Sequence, residues 1–109
     1  MSNWKRIYLS NTLIRKYGVL GRVASRYVLA GFSVRVNSDY IMIKGRNENK
    51  VVVVVENSKE FRDKVGKVKE LAKKLSSKPV IAVYGRCKIS DEDLEKAVNE
   101  GIQIKFIRC

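Results

Sequence analysis

The spacing of apolar residues predicts that the chain begins with helical structure. Over residues 4–28 the apolar positions recur three and four apart, which is the spacing of one helix face. Gly18 and Gly21 interrupt this pattern, and Gly31 is a predicted helix stop. The pattern leaves open whether the segment forms one bent helix or two.

Three short strands are predicted next. In Phe32–Val36 apolar and polar residues alternate, as expected for a half-buried strand. Tyr40–Lys44 and Val51–Glu56 are rich in residues that favour strands, and they flank the polar loop Gly45–Lys50. Two such runs on either side of a loop with Gly and Asn indicate a β-hairpin.

After Glu56 the apolar period changes from 2 to 3.6. It predicts an amphipathic helix from Phe61 to Leu75, with Asn57 as its N-cap and an end before Pro79. Val80–Tyr84 is apolar on both faces, which is typical of an interior parallel strand.

A second capped helix is predicted to open at Ser90 and close at Gly101, before the alternating edge strand Ile102–Ile107. The order α-βββ-α-β-α-β predicts a single α/β domain. Its mixed sheet has an antiparallel three-strand meander plus a parallel crossover strand, and helices flank it. We assign residues 1–17 to an N-terminal helical segment and 18–109 to the α/β domain.

The charge of the chain is strongly positive and unevenly distributed. The formal net charge is +12, and residues 1–38 contain seven basic residues and no carboxylate. A surface of this kind attracts phosphate backbones through counterion release, so the predicted partner is nucleic acid, with DNA favoured. A solvated surface or a contact with an anionic membrane is the alternative.

Several classes of site and location are disfavoured by what the sequence lacks. Without histidine the chain has no His general base and no His metal ligand. Cys87 and Cys109 are too few for a disulfide scaffold, and we assign neither a function. No apolar run approaches the ~20 residues that span a bilayer, and the first residues lack a signal-peptide pattern. We therefore expect a cytoplasmic protein without a membrane partner.

Two acids end the two strands of the predicted hairpin. If the hairpin is symmetric, with Lys44 facing Val51, then Asp39 faces Glu56 at a Cβ distance of about 5 Å. Two such carboxylates repel unless a cation lies between them, and Mg²⁺ takes one or two carboxylates with phosphate oxygens and water. Asp39 and Glu56 are therefore the predicted metal ligands. The alternatives are a one-residue register shift, a turn position for Asp39, and a helix-dipole role for Glu56.

Lys59 is the third candidate catalytic residue, beside Asp39 and Glu56. A lysine at this point could position an attacking water or balance charge in the transition state of phosphodiester hydrolysis. An ordinary solvated lysine is the alternative.

Together these features resemble the PD-(D/E)XK nuclease superfamily, and within it the small archaeal Holliday-junction resolvases. The resemblance covers most of residues 18–107. It rests on the element order, the helix GRVASRYVLAGFSV, the strands SDYIMIKG and VVVVVEN, and the late unit VIAVYG…SDEDLEKAVNEGIQI. It implies a restriction-endonuclease-like fold, Mg²⁺ held by Asp39 and Glu56, and a lysine that assists the nucleophilic water.

The sequence also departs from that family's pattern. Ser58 stands where the family has its lysine, and Lys59 comes one residue later. Arg22 follows Gly21 where an acid is common, and Ser38 replaces the expected proline. These departures favour a protein that docks structured or duplex DNA with weakened or absent catalysis. An active Mg²⁺-dependent DNA endonuclease is the first alternative.

The second alternative is a small RNA-binding α/β protein, which would need aromatic side chains free to stack on bases. Tyr27, Phe61 and Phe106 fall on predicted core stripes. Tyr40 and Tyr84 are the aromatics that remain for stacking.

Phosphate contacts are expected from the basic residues near the two carboxylates. These are Arg22, Arg26, Arg35, Lys44, Arg46 and Lys50. Because resolvases cut two strands symmetrically as dimers, the resemblance implies a homodimer, or a partner of an active nuclease. The edge strand Ile102–Ile107 is one possible interface.

Overall fold

The structure, a computed structural model, describes residues 3–37, 39–45, 47–85 and 88–107, and the side chains of all of these except residues 3, 4 and 6. Four α-helices and five strands make up the described chain, and a 3₁₀ turn at Ser58–Glu60 precedes the third helix. In chain order they are α1 (Asn3–Tyr17), α2 (Val19–Leu29), β1 (Ser33–Val36), β2 (Ile41–Lys44), β3 (Asn49–Val55), α3 (Phe61–Lys74), β4 (Lys78–Tyr84), α4 (Asp91–Asn99) and β5 (Gln103–Ile107).

The five strands form one mixed sheet in the order β1-β2-β3-β4-β5. β1, β2 and β3 are an antiparallel meander, and β4 and β5 run parallel to β3. Each parallel connection contains a helix because parallel strands need a long crossover. The predicted α/β fold class, the element order and the interior position of β4 are confirmed.

Helices cover both faces of this sheet, which gives three layers and two apolar cores. α1 and α2 pack on one face, called here the α2 face, and α3 and α4 pack on the other, the α3 face. Strand residues buried on the α2 face are Ile41, Ile43, Val52, Val80, Ala82 and Ile107. Those buried on the α3 face are Val51, Val53, Val55, Ile81 and Val83. Because β3 and β4 are covered on both sides, their sequences are almost wholly apolar.

The apolar pattern over residues 4–28 left open whether they form one bent helix or two, and the structure has two, α1 and α2. Gly18 lies between them with φ 61° and ψ −123°, a backbone conformation that favours glycine. α1 rests mainly on α2, and the two helices are closest where Gly21 meets the backbone of Leu13. A β-carbon at Gly21 would overlap the Leu13 carbonyl oxygen, so this position requires glycine.

Local signals for helix starts were accurate. The Ser90 hydroxyl accepts a hydrogen bond from the Asp93 N–H at 3.2 Å and caps α4 as predicted. The Asn57 side chain also caps, although it does so for the 3₁₀ turn rather than for α3 directly. No helix in the described part of the chain is long and apolar enough to cross a membrane.

Candidate nucleic-acid interface and carboxylate pair

The register of the β2–β3 hairpin differs from the predicted one. Lys44 pairs with Asn49, so the connecting loop is Gly45–Glu48, two residues shorter than expected. Continued beyond the strands, this register sets Asp39 opposite Val54. The predicted direct pairing of Asp39 with Glu56 is therefore wrong by two residues. The polar residues Asn49 and Lys50 are typical of a loop, but backbone hydrogen bonds form a strand there regardless of side chain.

Asp39 lies in the tight turn between β1 and β2, which matches the turn alternative. The Asn37 N–H donates to the Tyr40 carbonyl at 2.9 Å and closes this turn. The Asp39 carboxylate is 3.2 Å from the Nζ of Lys67 on α3. Strand alternation would have put Asp39 on the α2 face with Ile41, but alternation does not extend into a turn, and the side chain reaches the α3 side.

Glu56 and Lys59 lie at the same end of the sheet as Asp39. Glu56 is exposed and directly follows the last residue of β3. The neighbouring antiparallel strand, β2, begins at this same end of the sheet. The Lys59 N–H donates to Asn57 Oδ1 at 3.0 Å, and this bond fixes the 3₁₀ turn that carries the exposed lysine. Asp39 and Glu56, with Lys59 and Lys67, are thus among the charged groups of this end, and Glu60 follows Lys59 in the same turn.

The donor set of this end suits Mg²⁺ only in part. In the described residues no three Asp, Glu or Cys side chains come together as a possible metal group. Asp39 and Glu56 are the two residues that would hold Mg²⁺, with the remaining ligands supplied by phosphate oxygens and water. The ammonium of Lys67 already neutralises Asp39, and any metal would have to compete with it.

The predicted phosphate-binding residues fall into separate groups. Arg22 and Arg26 are exposed one turn apart on α2, whereas Arg35 and Lys44 are exposed on the α3 face of the β1–β2 hairpin. Since these pairs lie on opposite faces of the sheet, they do not form one flat surface. Arg46 lies outside the described residues, as do Cys87 and Cys109.

Lys50 lies at the amino end of β3, far from the carboxylates it was expected to accompany. The Glu48 carboxylate lies 4.0 Å from Lys50 Nζ and 2.6 Å from the Nζ of Lys78 on β4. The hydrogen bond from Lys78, assisted by the charges of both lysines, lowers the pKa of the Glu48 carboxyl. Lys50 and Lys78 share one carboxylate, so Lys50 is a weaker phosphate ligand than an unshared lysine.

A group of cations with no acid among them lies on α1 and α2. Their exposed basic residues form what we call the basic helical layer: Lys5, Arg15, Lys16, Arg22 and Arg26. No carboxylate precedes Asp39 in the chain, so neither helix has an acid of its own. Tyr8, 61% exposed, lies on the same outward side of α1 as Lys5 and Arg15. The sequence shows the acid-free stretch, and the predicted phosphate contacts include Arg22 and Arg26 but not the other three cations of this layer.

The exposed aromatic residues differ from those expected. Tyr40 and Tyr84, predicted to be free for stacking, are half-buried: each contacts one of the two cores and keeps part of its side chain exposed. Phe106, predicted to be core, is 58% exposed. Strand alternation places it on the α3 face with Ile104. Ile104 packs against the core of that face and is half-buried, whereas Phe106 lies beyond this core.

No family model, curated protein or solved structure matches this chain. The resemblance to the PD-(D/E)XK nucleases therefore stays a prediction from the sequence.

Proposed function

We propose that this protein binds nucleic acid, with duplex or structured DNA as its ligand, and that the basic helical layer is the docking surface. The observation that carries this proposal is the group of five exposed cations on two packed helices that contain no carboxylate. Each cation that neutralises a phosphate releases a condensed counterion, which favours binding without any base contact.

The rest of the surface supports this choice of interface. On the α3 face, Arg62 pairs with Asp93 at 3.2 Å and Lys69 pairs with Glu100 at 3.3 Å. The first turn of α4 is acidic, with Asp91, Glu92 and Asp93. Because cations and acids are mixed there, whereas α1 and α2 contain no acid, we expect a polyanion to approach from the side of α1 and α2.

The salt dependence of duplex binding tests the proposal. Fluorescence anisotropy of a labelled duplex is measured over a series of salt concentrations. If all five cations contact phosphates, the plot of log K against log salt has a slope of about −4.5, at about −0.9 per contact. Duplexes of unrelated sequence should give the same slope. A slope near zero would remove the electrostatic basis of the proposal.

A Mg²⁺-dependent endonuclease is the second candidate, because Asp39, Glu56 and Lys59 lie at one end of the sheet. Two features support weakened or absent catalysis instead. Ser58 occupies the position of the family's lysine, and Lys67 is paired with the Asp39 carboxylate. We therefore propose docking as the primary activity.

Cleavage assays separate the two candidates. Labelled four-way, forked and duplex DNA are incubated with Mg²⁺ or Mn²⁺, and products are resolved on denaturing gels. We expect the wild type to bind these substrates but to cleave them no faster than Asp39→Asn or Glu56→Gln. Metal-dependent cleavage by the wild type that both substitutions abolish would establish the enzyme.

RNA is the remaining ligand class, and the same titrations distinguish it. An RNA-binding protein would prefer single-stranded RNA to duplex DNA at equal salt, since its affinity would come from exposed bases. Duplex DNA bound as tightly as RNA supports docking through phosphates.

We propose further that the protein works in the cytoplasm without a membrane partner, either as a homodimer or beside an active nuclease.

The homodimer has a candidate interface along β5. In the described sheet β5 is at the edge and pairs with β4 alone, and its Phe106 is a large exposed apolar residue. Lys105 would normally discourage edge pairing, but its Nζ lies 4.5 Å from the centre of the Tyr27 ring, on the α2 face.

We expect the wild type to sediment as a dimer and Phe106→Lys as a monomer, because the substitution puts a charge on an apolar contact. Analytical ultracentrifugation measures this. Tyr8→Lys is the matched control, since Tyr8 is equally exposed but lies on α1. A wild type that stays monomeric at high concentration contradicts the interface.

A further inference from the structure

The β1–β2 hairpin presents a regular set of side chains on its α3 face. Val34 and Val36 turn toward the α2 face, so Ser33 and Arg35 turn the other way. The cross-strand neighbours on the α3 face are Asn37 with Tyr40, Arg35 with Met42, and Ser33 with Lys44. Successive rows are roughly 6.8 Å apart, twice the rise per strand residue.

This face is open because of the chain topology. α3 connects β3 to β4, and α4 connects β4 to β5. The two helices cover the α3 face of those three strands. β1 and β2 are joined by a tight turn instead, so no crossover helix is built over them. Leu75, at the end of α3, borders the exposed area.

A groove of about 440 Å³ lies on this open hairpin face. Its apolar floor is made of Tyr40, Met42 and Leu75, and its rim holds the cations Arg35 and Lys44 with the polar side chain of Asn37. The described residues that line it include no carboxylate. Arg35 is diagonal to both Tyr40 and Lys44, at about 7–8 Å, so the aromatic ring and the two cations are close enough to contact one small ligand.

The combination of one aromatic ring on an apolar floor with two cations suits one class of occupant. A phosphate alone does not require an apolar floor, and an apolar peptide does not require two cations. A nucleotide needs both, because its base stacks on aromatic rings while its phosphate pairs with Arg or Lys. Bases inside a duplex are stacked on each other and cannot reach Tyr40, so the nucleotide must be unpaired.

We infer that the open hairpin face binds an unpaired nucleotide of a single-stranded segment, with its base on Tyr40 and its phosphates against Arg35 and Lys44. This inference rests on the proposed function, since it assumes a nucleic-acid ligand. It adds a second site, on the opposite face of the sheet from the basic helical layer. The two sites adjoin the same sheet edge, because Leu13 of α1, Val28 of α2 and Val34 of β1 line one cavity. A strand that leaves a duplex bound to α1 and α2 can pass around β1 onto the hairpin.

Tailed duplexes test this site. Affinity is measured by anisotropy for a blunt duplex and for the same duplex with a short unpaired tail. We expect the tail to raise the wild-type affinity at least tenfold, since one base–aromatic stack alone gives about tenfold and the two cations add to it. Tyr40→Ala should remove the stacking part of the gain and Tyr40→Phe should keep the gain, while both bind blunt duplex like the wild type. A 2-aminopurine base in the tail should lose fluorescence when it stacks in the wild-type complex, which is a measurement independent of any variant.

A double substitution tests the cationic part of the site. Arg35→Gln with Lys44→Gln should reduce the tail-dependent gain and lower the salt slope for tailed duplex by about 1.4, at about 0.7 per contact with a single-stranded phosphate. Lys88→Gln with Lys96→Gln is the control of equal charge, and it should leave the gain unchanged.

The outcomes separate this inference from the proposed function. If blunt duplex is bound with the expected salt slope but the tail adds no affinity, or Tyr40→Ala keeps the full gain, the nucleotide site is overturned and the docking function stands. If blunt duplex binding lacks salt dependence, the docking function itself fails.

Discussion

Gly21→Ala should lower the free energy of unfolding by about 3 kcal/mol, which is the upper range for adding a methyl group to a closely packed contact. The new β-carbon would overlap the Leu13 carbonyl oxygen and lie 2.5 Å from its carbonyl carbon. These atoms belong to the backbone of α1, so no side-chain rotation can relieve the overlap. The helix as a whole has to move away from α2, and the apolar contacts of Leu13 with the core are lost with it.

Urea denaturation followed by circular dichroism measures this effect, and the thermal midpoint should fall by about 12 °C. Gly66→Ala is the matched control, since Gly66 is an exposed residue of α3 and a β-carbon there meets nothing within 4 Å. Alanine is the better helix former, so this control should gain about 0.5–1 kcal/mol. If Gly21→Ala were as stable as Gly66→Ala, the close contact between α1 and α2 would be contradicted.

The fold could be predicted from the sequence where the apolar pattern of an element allows only one position for it in the fold. The continuous apolar runs of β3 and β4 require cover on both faces, which a sheet gives only to its interior strands. The residues that cap α4 and the 3₁₀ turn act through hydrogen bonds to nearby residues in the chain, so they too can be predicted from the sequence.

Register could not be predicted, because it depends on residues that carry no apolar signal. Asn49 and Lys50 look like loop, yet their backbones pair with Lys44 and Ile43. An error of two residues keeps every side chain on its face, so the apolar pattern gives no warning of it. The position of Asp39 has a similar cause: the Asn37–Tyr40 hydrogen bond makes it a turn residue, and its partner on α3 is distant in sequence.

The candidate site was predictable in its charge and not in its grouping. The lack of acids before Asp39 identifies α1 and α2 as basic whatever the fold. Which cations share a surface depends on the layer that each element joins. Arg26 and Arg35 are close in sequence, but one belongs to the helices of the α2 face and the other to the open hairpin face. Only the three-dimensional structure separates the basic helical layer from the proposed nucleotide site.

Neutralising three cations of the basic helical layer should weaken duplex binding between about 100- and 1,000-fold at 0.1 M salt. The variant combines Lys5→Gln, Arg15→Gln and Arg22→Gln, three exposed residues of α1 and α2. Each lost phosphate contact removes about 0.9 from the slope of log K against log salt, so the slope should fall by about 2.7. Glutamine preserves the helix and most of the side-chain length, so stability should hardly change.

The control for this variant is Lys73→Gln with Lys88→Gln and Lys96→Gln, three exposed lysines outside the layer. Both triple variants reduce the formal net charge from +12 to +9, since each removes three positive charges. A diffuse attraction of a basic protein to DNA depends on net charge alone and would weaken equally in both. A docked interface depends on where the cations lie, so the layer variant should lose the larger part of the salt slope and the control should keep nearly all of it. Equal losses in the two variants would show that α1 and α2 are not the surface that meets the phosphates.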